Sequence, residues 1–213
     1  MELVLRGRFG IAGDRSVRNA QTDEATLDLA TIERCRHHDD EAFGLVVDAY
    51  QSRVFGFVRR MVPTGEDAED VTQEVFLKAY RSFPNFDGRS SLRTWLFRIA
   101  HNLCIDRARR RGRTPDPLPL DDTLGDGGYD PQDFGPSPEA IAVTSELRAA
   151  LESAISEMSE KLRSVLLLHD REEMDYDEIS QTLGVPLGTV KSRLFLARKE
   201  LQRRLKEYIH DRP

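Results

Sequence analysis

Apolar residues recur at steps of three and four along four stretches of the chain, which is the spacing of one face of an α-helix. These amphipathic stretches lie at 43–61, 68–79, 92–103 and 147–165. Each stretch is long enough for about three or more helical turns. The pattern therefore predicts an all-α protein whose helices turn their apolar stripes toward a core.

A further pair of helices is predicted within 175–203. Ile179 and Leu183 lie one helical turn apart, and Gly184 supplies the left-handed residue that ends a helix in a sharp turn. Pro186 cannot continue that helix. The second helix is predicted to begin near 188–189, with an apolar inner face of Val190, Leu194, Ala197 and Leu201. The pattern is typical of a DNA-binding helix-turn-helix, and a plain αα-hairpin is the alternative.

Prolines and glycines separate the helix-turn-helix region from the first three helices. Five prolines and several glycines lie between 112 and 137, so this segment is predicted to be a flexible, extended linker. The chain then divides into an N-terminal extension (1–37), a first helical domain (38–112), an acidic linker (113–139) and a second helical domain (140–213). The extension is expected to be poorly ordered, with part of a helix possible within 23–36.

The net charge of −6 conceals a segregated distribution. Residues 89–113 contain eight arginines and one acid, residues 114–143 contain seven acids and no basic residue, and residues 186–206 contain seven basic residues and one acid. Solvated helix faces would explain one basic block, whereas two blocks on either side of an acidic segment favour two separate contacts with a polyanion such as DNA.

Few residues suggest catalysis or a bound metal. Cys35 and Cys104 are the only cysteines and give no disulfide framework, and no apolar run approaches a membrane span of roughly 18 residues. The N-terminus does not resemble a signal peptide, so we expect a cytoplasmic protein. His37, His38, Asp39 and Asp40 could suggest a metal site, but no second cluster completes it. We therefore expect no enzyme activity, no cofactor and no metal.

The helix predicted around 68–79 presents a polar face opposite its apolar stripe. This face contains Asp70, Gln73, Glu74 and Leu77. An apolar residue within an acidic, exposed face is a plausible contact for a protein partner, although single surface leucines are common. Thr64 is predicted to cap this helix, with Asp67 approximating a capping box.

An aromatic loop precedes the arginine-rich third helix. Ser90 or Ser91 is predicted to cap that helix, and Trp95 falls within its apolar stripe. Its other flanks include Arg98 and Asn102, followed by a run of arginines at 107–111. Guanidinium groups suit a phosphate backbone, and an asparagine amide suits a base edge.

Three segments together carry a resemblance to a known family: DAEDVTQEVFLKAY at 67–80, FDGRSSLRTWLFRIAHN at 86–102 and GTVKSRL at 188–194. They resemble the bacterial sigma factors of the extracytoplasmic-function (ECF) subgroup, which keep only the domains called sigma-two and sigma-four. The resemblance covers roughly 38–112 and 140–207, with three motifs in the family's order.

The resemblance implies a role for each surface. Core RNA polymerase would bind the face formed by Asp70, Gln73, Glu74 and Leu77. The minus-ten promoter element would contact Phe86, Gly88, Arg89, Ser90, Ser91, Arg98, Asn102 and Arg109, with one base flipped into the loop. The minus-thirty-five element would contact Thr189, Lys191, Ser192, Arg193 and Arg198.

Further partners and an alternative follow from the same resemblance. The acidic linker would occupy polymerase channels built for nucleic acid, and an anti-sigma factor is expected as a regulator. Independently of the resemblance, the position of Trp95 in the apolar stripe predicts that it packs in the core rather than wedging between bases. The alternative is a helix-turn-helix regulator that acts without polymerase; a sensor domain in such a regulator would not need an arginine-rich helix beside an aromatic loop.

Overall fold

The computed structural model describes residues 27–112 and 145–210, and every regular element in these ranges is helical. The described residues divide into two compact units, the first built mainly from 27–112 and the second mainly from 145–210. The all-α prediction is confirmed, while the proposed linker lies outside the described residues. The first unit contains α1 (Leu29–Arg36), α2 (Asp40–Met61), α3 (Gly65–Ser82), a 3₁₀ turn (Phe83–Asn85) and α4 (Leu92–Arg110). The second contains α5 (Ser145–Ser156), α6 (Glu160–Asp170), α7 (Tyr176–Leu183) and α8 (Leu187–His210).

The first unit begins earlier than the boundary expected at residue 38. Asp28 caps α1 by accepting a hydrogen bond from the Thr31 amide at 2.8 Å. Cys35 in α1 is buried, and the helix packs against α2 and the 3₁₀ turn. From residue 27 onward the chain is thus part of the folded unit, and the poor order expected for the extension concerns residues 1–26, outside the described range. The sequence signal is weak because a helix of 8 residues gives only two turns of pattern.

The core of the first unit contains the predicted stripes of α2, α3 and α4. In α4, however, the buried positions extend beyond the stripe to Thr94, Phe97 and Cys104. The reason is that α4 packs against both α2 and α3, so two of its sides leave solvent. Phe97 lies edge-to-face with Phe57 of α2, with ring centroids 5.5 Å apart. A helix buried on two sides loses the clean alternation on which a stripe prediction depends.

Both predicted caps in this unit are present. The Thr64 hydroxyl accepts a hydrogen bond from the Asp67 amide at 3.2 Å, and the Ser91 hydroxyl accepts one from the Thr94 amide at 3.1 Å. The box expected at Thr64 differs in one respect, because the Asp67 carboxylate accepts from the Thr64 hydroxyl. A capping box would instead bring this carboxylate to the backbone amide of the cap residue. Asp67 therefore keeps its other carboxylate oxygen for a separate partner.

The second unit packs α8 against α5 and α6. Arg163 of α6 is buried, and its guanidinium donates to the carbonyls of Ile155 at 2.9 Å and Met158 at 2.6 Å. The Ile155 carbonyl lies in the last turn of α5 and the Met158 carbonyl just beyond it, where the helix itself supplies no donors. Arg163 therefore joins the two helices and satisfies buried acceptors, so this arginine belongs to the fold rather than to a surface.

The helix-turn-helix prediction is confirmed in detail. Asp175 and Glu178 form a capping box at the start of α7, and Gly184 ends that helix in the left-handed conformation with φ of 66°. The Ser180 hydroxyl donates to the Val185 carbonyl at 2.7 Å, so this serine stabilises the turn. On α8, Val190, Leu194 and Ala197 are buried. No helix among the described residues is long and apolar enough to cross a membrane.

Candidate functional site

The acidic face of α3 is open to solvent at its charged positions. Asp70 and Glu74 are exposed, whereas Gln73 and Leu77 are half-buried. Leu77 therefore rests partly on the helix surface with its outer atoms available, a geometry that suits a side chain completing an apolar contact with a partner. Asp70 is 3.4 Å from the guanidinium of Arg107, an exposed pair that does little to hold the fold.

Asp67, one turn before this face, anchors the end of α4. Its carboxylate is buried and accepts hydrogen bonds from Arg107 at 2.8 Å and Arg111 at 2.5 Å. The hydrogen bond from Thr64, together with these guanidinium groups, holds the pKa of Asp67 below its usual range. Two of the arginines in the basic run therefore close the bundle, and they contribute less to a DNA surface than the sequence suggested. Within the run at 107–111, Arg109 and Arg110 are the two exposed arginines that do not pair with α3.

Acidification is expected to destabilise the first unit through Asp67. Because the folded state lowers the pKa of this carboxyl, its contribution is present above the unfolded value of about 3.9 and is lost as pH falls through the folded value. The Asp67→Asn variant should be less stable at pH 7 and should lose less further stability between about pH 4 and pH 2. Urea unfolding followed by fluorescence of Trp95, the chain's one tryptophan, measures this. Asp70→Asn is the control, and equal pH profiles for both variants and the wild type would contradict the assignment.

An aromatic cluster supports the loop that precedes α4. Phe83 and Phe86 are buried, and each lies against Trp95, with ring centroids 5.3 Å and 5.1 Å apart. Phe43 of α2 completes the cluster edge-to-face with Phe83. Trp95, expected to pack in the core, contacts both rings and is half-buried. Phe86, which the family pattern placed in the DNA contact, has its ring at 5% exposure beneath the loop.

The outer part of this loop presents polar groups and an accessible backbone. Gly88 has φ of 73°, in the left-handed region that favours glycine, and Arg89 and Ser91 are exposed. Asp87 accepts a hydrogen bond from the Arg89 amide at 3.1 Å, and its carboxylate is 3.0 Å from the Arg89 guanidinium. The loop therefore has a fixed turn at Gly88 over a rigid aromatic base, while Arg89 extends into solvent.

A polar stripe continues from the loop along α4. Arg98, Asn102 and Arg109 are exposed, and their spacing of four and seven residues places them within about 40° of one another around the helix. Ser91, at the cap, falls on the same line. The structure thus exposes most of the predicted minus-ten residues on the loop and on one side of α4, while the Phe86 ring is buried and Ser90 is half-buried.

The first turns of α8 present the predicted recognition residues unequally. Lys191 is exposed, whereas Thr189, Ser192 and Arg193 are half-buried. The Ser192 hydroxyl donates to the Thr189 carbonyl at 3.1 Å. Burial lowers the pKa of Arg193 below its ordinary value, although an arginine remains charged.

Arg198 and two apolar residues on α8 have contacts or exposures that the sequence alone did not predict. The Arg198 guanidinium lies 2.8 Å from the Asp170 carboxylate and 3.2 Å from the His169 ring, so it ties α8 to the end of α6. Phe195 and Leu196 are exposed at 49% and 38%, on the same side of the helix as Lys191 and Ser192. The sequence prediction named only polar groups for this face. Phe195 and Leu196 lie off the predicted inner stripe, and this position was the signal that could have identified them as exposed.

The residues considered for a metal site have structural partners instead. Asp39 caps α2 through the Glu41 and Ala42 amides and pairs with Arg34 at 2.7 Å. Asp40 accepts a hydrogen bond from the Tyr80 hydroxyl at 2.6 Å. Within residues 27–112 and 145–210, no group of three or more potential ligands could hold a metal ion.

Comparisons with known proteins define the class. Residues 46–114 match the family described as Sigma-70 region 2, and residues 148–201 match Sigma-70, region 4. The chain is 35% identical to the RNA polymerase sigma-H factor of Pseudomonas aeruginosa, over 86% of this chain and 96% of that protein. It is also 35% identical to the ECF RNA polymerase sigma-E factor of Escherichia coli K12, over 87% and 98%.

A solved structure agrees at the level of the fold. The sigma factor RpoE of Bartonella quintana, solved in complex with the anti-sigma factor NepR, superposes with a TM-score of 0.59. It is 24% identical, and the match covers 77% of this chain and 96% of that one.

The two matched regions therefore define an RNA polymerase sigma factor. More particularly, the chain belongs to the ECF family, which confirms the resemblance. It directs RNA polymerase to promoters, and it is not an enzyme. The alternative of a regulator that acts without polymerase is set aside.

Proposed function

We propose that three surfaces divide this activity. The acidic face of α3 (Asp70, Gln73, Glu74 and Leu77) docks on core polymerase. The loop around Gly88 and the stripe of Arg98, Asn102 and Arg109 hold the minus-ten strand, and the first turns of α8 read the minus-thirty-five duplex. The observation that supports this division best is the exposure of the loop residues and of one side of α4, at Gly88, Arg89, Ser91, Arg98, Asn102 and Arg109.

Promoter opening by this surface needs only binding energy. Unstacking a base costs about a few kcal/mol, and a pocket with phosphate contacts offsets that cost. The buried rings of Phe83 and Phe86, packed against Trp95, keep the loop in place, so little ordering is needed when DNA binds. We assign Phe86 to this support, and we assign contact with the strand to Arg89, Ser91, Arg98 and Asn102.

The minus-thirty-five contact is expected to depend on Lys191 and Arg193 more than on Arg198. Arg193→Ala should weaken binding to a preferred duplex by about 1–3 kcal/mol if its guanidinium reads a base. The measurement is equilibrium binding of holoenzyme to duplexes with single substitutions in the minus-thirty-five element. The loss should concentrate at one base pair, and an equal loss on every duplex would contradict base reading. Arg203→Ala, on an exposed residue three turns further along α8, is the control.

We also propose that an anti-sigma factor regulates this protein. The support is indirect, since a sigma factor of the same fold was solved with such a partner. A purified anti-sigma factor that binds this chain should prevent the chain from binding core polymerase. If that protein, added in excess, leaves core binding intact, this pairing is wrong.

A further inference from the structure

Arg36, near the end of α1, lies beside the loop assigned to the minus-ten strand. Its Nη2 atom is 3.9 Å from the position that a Cβ atom at Gly88 would occupy. The helix α1 also contacts the 3₁₀ turn from which this loop begins. A cationic group from the N-terminal segment therefore lies next to the exposed backbone of Gly88. The sequence pattern predicts a poorly ordered extension for this segment.

The contacts of Arg36 contribute too little to the stability of the fold to explain why an arginine lies at this position. Its Nη1 donates to Glu33 at 3.0 Å, but this carboxylate is 56% exposed, and exposed pairs of this kind contribute little. The Nε atom is buried and has no hydrogen-bond partner among residues 27–112 and 145–210. The Arg36 side chain is itself 32% exposed, so part of the guanidinium faces solvent beside the loop.

A second arginine belongs to the same loop. Arg89, the residue after Gly88, has a side chain that is 90% exposed and is opposed only by the exposed Asp87 in the contacts seen for the described residues. A nucleic-acid strand that enters this loop therefore meets two guanidinium groups near one glycine. Guanidinium groups are planar and donate in pairs, which suits phosphate oxygens.

We propose that Arg36 binds a backbone phosphate of the single strand at the Gly88 loop, together with Arg89. This inference rests on the proposed function of the loop and adds a contact from outside the arginine-rich region. Glu33 competes with the phosphate for the guanidinium, so it tunes the strength of this contact.

Arg34 provides a matched control on the same helix. It pairs with Asp39 at 2.7 Å and Glu41 at 3.3 Å, at the junction of α1 and α2. Arg34→Ala and Arg36→Ala change the net charge equally, and both side chains are partly exposed. A difference between these variants therefore reports position rather than overall charge.

The test is the salt dependence of binding between the full chain and a labelled pool of random twelve-nucleotide DNA single strands. A random pool suffices because phosphate contacts do not depend on sequence. Arg36→Ala should weaken binding, and the slope of log K against log [NaCl] should fall by about 0.7, as for one phosphate. Arg36→Lys should keep most of the slope, Arg34→Ala should match the wild type, and Glu33→Gln should bind more tightly than the wild type.

Two failures are distinguishable. If Arg89→Ala lowers the slope while Arg36→Ala leaves it at the wild-type value, the inference about Arg36 is wrong and the loop assignment stands. If neither Arg36→Ala nor Arg89→Ala changes the slope, the loop itself is not the strand-binding site. Trp95 fluorescence confirms folding of each variant, and should Arg36→Ala fail to fold, a Glu33→Gln variant with unchanged affinity overturns the proposal.

Discussion

Replacing Phe83 by alanine is expected to lower the free energy of unfolding of the first unit by about 3–5 kcal/mol. Phe83 is fully buried and contacts the rings of Phe43, Phe86 and Trp95, so its removal leaves a cavity at the centre of the cluster. The same change should weaken single-strand binding, because Phe86 and Trp95 support the Gly88 loop. Urea unfolding followed by Trp95 fluorescence and binding to the random single-strand pool measure the two effects.

Phe97→Ala separates the two consequences of losing a buried ring. Phe97 is also fully buried, but its aromatic partner is Phe57 of α2, outside the cluster beneath the loop. A comparable loss of stability is expected, of about 3–5 kcal/mol. At a temperature where both variants are folded, Phe83→Ala should bind the single strand more weakly than Phe97→Ala. Equal weakening by the two variants would mean that the cluster has no particular role in supporting the loop.

The second large effect is expected at the acidic face of α3. The double change Leu77→Asp with Asp70→Arg should weaken binding to core polymerase by roughly 30-fold or more, which corresponds to a contact of about 2 kcal/mol. It places a charge where an apolar contact is proposed and reverses the sign of a neighbouring charge. The fold should tolerate the change at Asp70, because Asp70 is exposed and Arg107 keeps its bond to the buried Asp67. Leu77 is half-buried, so urea unfolding of the double variant checks that it folds. Fluorescence anisotropy with labelled chain and purified core polymerase measures the affinity.

The control for this experiment lies on the same helix. Glu69 is exposed and precedes Asp70 by one residue, so it points about 100° away around the helix. Glu69→Arg reverses the same kind of charge at the edge of the proposed face, next to Gln73 and about 80° from Leu77, and should leave the affinity within about twofold of the wild type. An unchanged affinity of the double variant would refute the face assignment, as would an equal loss in Glu69→Arg.

Much of the fold could be predicted from periodicity and turn residues. The stripes of α2 and α3, the Ser91 cap and the turn at Gly184 are local features, and local sequence determines them. The helix α1 gives only a weak pattern because it is short, and its burial against α2 is evident only from tertiary contacts. Phe97 was overlooked for a similar reason, because α4 is covered on two sides.

For the candidate site, the sequence proposes surfaces, and the structure adds which single side chains near them have internal partners. A run of arginines predicts positive charge, but the sequence does not say which arginines have internal partners. The structure pairs Arg107 and Arg111 with Asp67, some forty residues earlier, and Arg198 with Asp170. Phe86 is likewise buried by contacts with Phe83 and Trp95. In each case the decisive partner is distant in sequence or depends on how a loop folds back.

The most direct test of this account is run-off transcription from a library of genomic fragments with purified chain and core polymerase. The wild-type chain should produce transcripts that start at a small set of defined positions, and core polymerase alone should not. The Leu77→Asp, Asp70→Arg variant should lose these transcripts, while Glu69→Arg should keep them. The account is contradicted if the wild-type chain neither binds core polymerase nor produces a defined start on any fragment.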